Sequence, residues 1–173
     1  GKKPLVVVLH GCNQNAAVIS EESGWNTLAD AYNFIAIYPQ QKVLNNPNRC
    51  FNWFMKGDNR IDKGEVASVH SMIKFMNKNY SIDTSKIFIY GLSAGAAMSM
   101  AALSCYPDLF NAAAILAGGP YMMLNNPAKA ISMMNNPRNF TDQELLESVL
   151  VQHKTELKKR PKVIVLHGND DPL

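Results

Sequence analysis

The chain has 173 residues, with 17 Lys and Arg against 14 Asp and Glu, giving a formal net charge of +3. Hydrophobic residues make up 47% and charged residues 18%, which excludes a disordered chain and supplies a core for one domain spanning residues 1–173. No apolar run approaches the roughly 18–20 residues that a membrane span needs. The densest basic cluster, Lys158-Lys159-Arg160 with Lys154 one turn earlier, is too small for a nucleic-acid footprint and reads as a solvated helix end.

Leu5-Val6-Val7-Val8-Leu9 is a continuous apolar run, the pattern of a strand buried on both faces of a parallel sheet. His10-Gly11-Cys12 follows it directly. Trp25 to Ala31 predicts a short helix, and Phe34 to Tyr38 predicts a second strand, ended by Pro39. Residues 40–63 are polar and irregular, with an aromatic cluster of Phe51, Trp53 and Phe54. From Glu65 to Asn79, Val66, Val69, Ile73 and Met76 recur at spacings of three and four, the apolar stripe of a helix. Lys86 to Tyr90 predicts a third strand, and the Ala- and Met-rich stretch from Gly95 to Cys105 a buried helix. A fourth strand is expected at Ala112 to Leu116.

Residues 118–140 break the rhythm. A Met-Met…Asn-Asn-Pro pattern occurs there twice and reads as two turns flanking one short helix. The stretch 118–160 is expected to form a lid or a packed insertion, since long irregular segments in a compact domain are often functional. Asp142 to Lys159 predicts a helix with Thr141 as its N-cap, and Lys162 to Leu166 a fifth strand. Strands alternating with helices predict an α/β fold: a mostly parallel, doubly wound sheet with right-handed crossovers.

Gly91-Leu92-Ser93-Ala94-Gly95 is a G-x-S-x-G motif placed between a predicted strand and a predicted helix. That is the setting of a nucleophile elbow, in which a sharp turn holds the Ser Oγ exposed above the sheet edge. The same logic nominates two backbone N–H groups for an oxyanion hole: that of Ala94, after the nucleophile, and that of Cys12, in the loop after the first strand. His10 is expected to be structural. His167-Gly168-Asn169-Asp170-Asp171 follows the last strand, where a triad's carboxylate belongs. Spacing alone does not choose between Asp170 and Asp171.

The general base has no evident sequence signal. His70 and His153 lie on predicted helices and read as surface residues, and His167 stands too close in chain to the acid to serve as its partner. Truncation before a His-bearing segment is the simplest expectation. An alternative is a non-catalytic binding protein or an inactive fragment of the same fold. The three cysteines form no CxxC pair, and the four histidines give no HExxH, so neither a metal nor a cofactor is expected.

Taken together, these motifs resemble the poly(3-hydroxybutyrate) depolymerase-type esterases of the α/β-hydrolase fold, which include acetylxylan and feruloyl esterase relatives. The matching pieces are Leu9-His10-Gly11-Cys12-Asn13-Gln14, Gly24-Trp25-Asn26-Thr27-Leu28-Ala29-Asp30, Tyr38-Pro39-Gln40-Gln41 and Arg49-Cys50-Phe51-Asn52-Trp53-Phe54. Further on come Gly64-Glu65-Val66-Ala67-Ser68, Tyr90-Gly91-Leu92-Ser93-Ala94-Gly95-Ala96, Tyr106-Pro107-Asp108-Leu109-Phe110 and His167-Gly168-Asn169-Asp170-Asp171.

The resemblance implies core strands three to seven of that fold. It implies Ser93 as nucleophile, Asp171 as acid, the Cys12 and Ala94 N–H groups as oxyanion donors, and a histidine beyond a further strand. It also implies an ester substrate, either a polyester oligomer or an acylated polysaccharide, and an extracellular or periplasmic location. A Cys12–Cys50 disulfide fits that location, with Cys105 left as a buried thiol. Trp53, beside Cys50, is expected either to wall the substrate site or to pack in the core.

Overall fold

The computed structural model describes residues 1–121, 126–136, 139–153 and 159–171. Five parallel strands form one sheet in the order β2-β1-β3-β4-β5. They are β1 (Lys3–Leu9), β2 (Ile35–Ile37), β3 (Ile82–Leu92), β4 (Ala112–Leu116) and β5 (Lys162–Leu166). The helices are α1 (Ala16–Glu22), α2 (Trp25–Tyr32), α3 (Gly64–Asn79), α4 (Ala94–Cys105), α5 (Pro127–Asn135) and α6 (Asp142–Leu150). The doubly wound parallel sheet is the expected one.

Strand alternation divides the core between the two faces. Leu5, Val7, Leu9, Ile87, Ile89 and Ile115 point to one side and pack with Val66, Val69 and Ile73 of α3 and Met98 and Ala102 of α4. Val6 and Val8 point to the other side, where they meet Ile19 of α1 and Trp25, Phe34, Phe88 and Tyr90. The interior strand β1 is therefore apolar at every position from Leu5 to Leu9, as a strand with two covered faces must be. α4 is buried nearly all round, which explains its run of Ala and small residues: only small side chains let a helix lie this close to β1 and β3.

Some boundaries differ from those predicted, each for a local reason. α1 was not predicted; it buries only Ile19 and is held by Asn15, whose side chain accepts from the Val18 N–H. Such a helix has no apolar stripe for periodicity to find. β3 begins four residues early, at Ile82. Its first turn pairs Ile82 with Lys3 through polar residues that carry no strand pattern. α6 ends at Leu150 rather than Lys159, and residues 154–158, which include Lys154 and Lys158 of the basic cluster, lie outside those described. Its start is as expected: Thr141 accepts from the Glu144 N–H while Glu144 reaches back to Thr141, a capping box. The short helix expected between the two Asn-Asn-Pro turns is α5, capped by the Asn126 side chain. The Met-Met turn at 122–125 lies outside the described residues. Among the described residues β5 pairs only with β4 and is exposed along its whole length, unlike the other apolar strands.

Candidate active site

The carboxyl ends of the strands lie level. Leu9 pairs with Gly91, Leu92 with Leu116, and Leu116 with Leu166. The loops that begin at His10, Ser93, Ala117 and His167 therefore share one edge of the sheet. The chain leaves β1 toward β2 and then crosses back to β3, so β1 and β3 flank the point where the winding reverses. In open α/β sheets ligands bind at such a switch point.

Ser93 occupies the turn between β3 and α4 with φ 52° and ψ −118°. A non-glycine residue there stores strain, and such positions cluster at functional sites. Close packing enforces the turn. A Cβ on Gly91 would stand 2.3 Å from the Gly95 carbonyl oxygen, and one on Gly95 would stand 2.4 Å from that of Leu9. The Ser93 N–H donates to the Leu116 carbonyl (2.9 Å), which ties the elbow to β4. Gly11 lies alongside: a Cβ there would come 3.5 Å from the Ser93 Cβ.

The loop after β1 is closed by Gln14, whose side-chain oxygen accepts from the Gly11 N–H (2.9 Å). The N–H groups of Cys12 and Ala94 make no hydrogen bond among the described residues. Ala94 stands at the first position of α4, where an N–H has no partner within the helix. Both residues line, with Ser93, a cleft of about 930 Å³. The same cleft receives Trp53 and Phe54 from the loop after β2, Ala130, Met133 and Met134 from α5, and His167 and Asp171 from the loop after β5.

Asp171 and Asp170 part company here. Asp171 lines the cleft and is half-buried, whereas Asp170 is exposed and outside it. His167 corrects an expectation. A tight turn, in which the Asp171 N–H donates to the Gly168 carbonyl (3.3 Å), brings His167 Nε2 to 3.4 Å from Asp171 Oδ2. Short separation in chain thus pairs these two residues instead of keeping them apart. Ser93 Oγ has no hydrogen bond to any histidine among the described residues.

The remaining histidines are held in packing and hydrogen-bond contacts, and two are not the surface residues expected. His70 stacks on Tyr106 with ring centroids 3.9 Å apart, and burial lowers its pKa. His153 Nε2 donates to the Ser104 carbonyl at 2.6 Å. His10 is fully buried against Phe51, at 4.9 Å between rings. Burial pulls its pKa down, the bond to the Gly11 carbonyl pulls it up, and the Arg49 charge adds to the lowering.

Trp53 lines the cleft and packs against the main core. Cys105 is buried and unpaired, and burial pushes its thiol up to about 11. Cys12 and Cys50 form a disulfide across 38 residues, joining the loop after β1 to the loop after β2. Closing a loop of that size is worth about 4 kcal/mol in the chain-entropy model. Denaturant unfolding with and without dithiothreitol should show a loss of that order, with the denaturation midpoint falling on reduction. An unchanged midpoint would mean that the two loops hold each other without the bond.

The family model described as Esterase PHB depolymerase matches residues 1–172. The chain belongs to the PHB depolymerase esterase family. Among its relatives, the poly(3-hydroxyalkanoate) depolymerase C of Paucimonas lemoignei is 40% identical over 168 residues, covering 97% of this chain and 40% of that protein. The feruloyl esterase B of Talaromyces stipitatus is 29% identical over 178 residues, covering 98% of this chain and 49% of that protein. Among solved structures, an acetyl xylan esterase from Aspergillus awamori superposes with a TM-score of 0.87 at 22% identity, over 95% of this chain and 61% of that one. That likeness establishes the α/β-hydrolase fold. The chain thus spans two fifths to one half of the length of these two sequence relatives.

Proposed function

We propose that this chain carries the catalytic core of a serine carboxylesterase. The observation that carries the reading is a strained Ser93 elbow opening into a cleft beside two N–H groups, on Cys12 and Ala94, that have no acceptor among the described residues. An ester carbonyl placed over Ser93 would have its oxygen facing those donors, each worth about 3–4 kcal/mol to a developing oxyanion.

Ser93 Oγ attacks the carbonyl carbon and passes its proton to a histidine. The C=O π pair becomes the oxyanion, and its collapse expels the alcohol, which takes up that proton. Water then repeats the sequence on the acyl-enzyme and frees the acid. Asp171 orients the histidine. We place that histidine in sequence that the relatives carry beyond the region matched here, because none of the described histidines bonds Ser93. The alternative, a non-catalytic protein of this fold, gives no reason to keep a strained serine beside two open donors.

The substrates we favour are 3-hydroxyalkanoate oligomers or acyl groups on polysaccharide, the former because the most similar of these relatives is a polyhydroxyalkanoate depolymerase. Trp53 and the Met side chains of α5 would wall the acyl group. Residues 1–173 act as one domain, in which the stretch 118–160 is a lid or a packed insertion; among its described residues, Ala130, Met133 and Met134 of α5 line the cleft. The disulfide favours an extracellular or periplasmic location, since such bonds persist in oxidising compartments. Among the described residues, no helix is long and apolar enough to cross a membrane.

A fluorophosphonate probe tests the reading. The full-length protein should gain the mass of one adduct, and peptide mapping should place it on Ser93. Labelling elsewhere, or none under conditions where the protein is folded, would overturn it.

A further inference from the structure

Glu65 is a buried carboxylate in the first turn of α3, only 8% exposed, and the partners of its carboxylate oxygens are neutral amides. Its Oε1 accepts from the Gln41 side chain and from Asn52 Nδ2 (2.8 Å). Its Oε2 accepts from the Asn52 backbone N–H (2.7 Å). Burial raises its pKa, the bonds from Gln41 and Asn52 lower it, and the nearby Asp58 charge raises it again. Burying a carboxylate without a counter-charge is costly. What this one organises is therefore of interest.

The carboxylate leads to the oxyanion loop through two residues. Gln41 is itself buried and its amide is saturated. Besides Glu65 it donates to the Cys50 carbonyl (3.0 Å), and its oxygen accepts from the Lys42 N–H (2.9 Å) and Asn45 (3.2 Å). Its backbone N–H donates to His10 Nε2 at 3.1 Å. On the far side of the ring, Nδ1 is 2.8 Å from the Gly11 carbonyl oxygen. An N–H can only donate and a carbonyl can only accept. The ring is thus neutral, with its proton on Nδ1 and its lone pair on Nε2.

The Gly11 carbonyl and the Cys12 N–H belong to one planar peptide group. Holding the oxygen fixes the direction of the N–H. The disulfide does something different: it restrains the Cys12 side chain, while the Gly11 carbonyl oxygen takes a second, longer bond from the Gln14 N–H (3.3 Å).

We propose that Glu65 is a positioning residue of the oxyanion hole: through Gln41 and His10 it fixes the plane of the Gly11–Cys12 peptide, whose N–H receives the oxyanion. This rests on the esterase reading above.

The test is Glu65→Gln in the full-length protein. An amide in place of the carboxylate sets a donor against the donors of Gln41 and Asn52. With p-nitrophenyl butyrate, kcat should fall about 10- to 100-fold, against roughly 100- to 1,000-fold for losing a donor outright, while KM stays within about threefold. A trifluoromethyl ketone, whose adduct with Ser93 places an oxyanion in the hole, should lose affinity by the same factor as kcat. A merely structural role would lower the unfolding temperature without moving that inhibition constant in step with kcat.

Glu65→Asp keeps the charge and shortens its reach by one methylene. It covers the case in which the amide variant does not fold, and it should show the same parallel loss at smaller size. A folded variant with wild-type kcat, or one in which only KM changes, overturns the proposal. A wild-type protein that the ketone does not inhibit and whose Ser93→Ala variant stays active overturns the esterase reading, and this proposal with it.

Discussion

Replacing Ser93 with alanine should abolish ester hydrolysis and leave the fold standing. The expected loss in kcat is about 10⁴- to 10⁶-fold, the scale seen when a catalytic nucleophile is removed while the rest of its site is retained. Some acceleration over water should survive, because the Cys12 and Ala94 N–H groups still polarise a bound carbonyl. The fold should survive for a separate reason. Ser93 Oγ makes no hydrogen bond among the described residues, so its removal orphans no partner. The strain at φ 52° comes from the Cβ, which alanine keeps, so the unfolding free energy should move by less than about 0.5 kcal/mol. Steady-state kinetics and a thermal melt on the same preparation separate the two effects. Activity within tenfold of wild type, in a protein that melts normally, would remove Ser93 from the mechanism.

The parts of this molecule that its sequence announces are those whose determinants are local. The elbow is one: Gly91, Ser93 and Gly95 are close neighbours in chain, and the turn needs a residue without a Cβ on either side of Ser93. The strands are another, because Leu5 to Leu9 and Lys86 to Tyr90 carry their burial in their composition. Sequence reading loses sight of determinants that come from far along the chain. Gln41 and Glu65 are 24 residues apart and look like an ordinary loop amide and an ordinary first-turn acid; only the fold shows that they converge with His10 behind the oxyanion loop. His153 is polar and lies just past α6, yet its ring reaches Ser104, 49 residues away. His167 and Asp171 differ again: they are close in chain, but it is the turn between them, invisible to spacing, that brings their side chains to 3.4 Å.

Gly95→Ala should be, with Gly91→Ala, among the most damaging single methyl groups that can be added to this chain's candidate site. Its Cβ would stand 2.4 Å from the Leu9 carbonyl oxygen and 2.6 Å from that of His10. Neither neighbour can rotate away, since both are backbone at the end of an interior strand. Relief requires α4 to lift from β1, and α4 is packed on nearly every side. Overpacking of this kind costs about 3–5 kcal/mol, toward the upper end for a point substitution. The same movement would carry the Ala94 N–H away from that of Cys12, so whatever protein folds should also lose kcat. Two controls isolate the cause. Gly119→Ala meets nothing within 4 Å and should be near neutral. Gly24→Ala also meets nothing but sits at φ 73°, so it should cost only the roughly 1–2 kcal/mol of a left-handed alanine. If Gly95→Ala melts no lower than Gly24→Ala, helix and strand are not held in the contact that forms the elbow, and the strain at Ser93 has another origin.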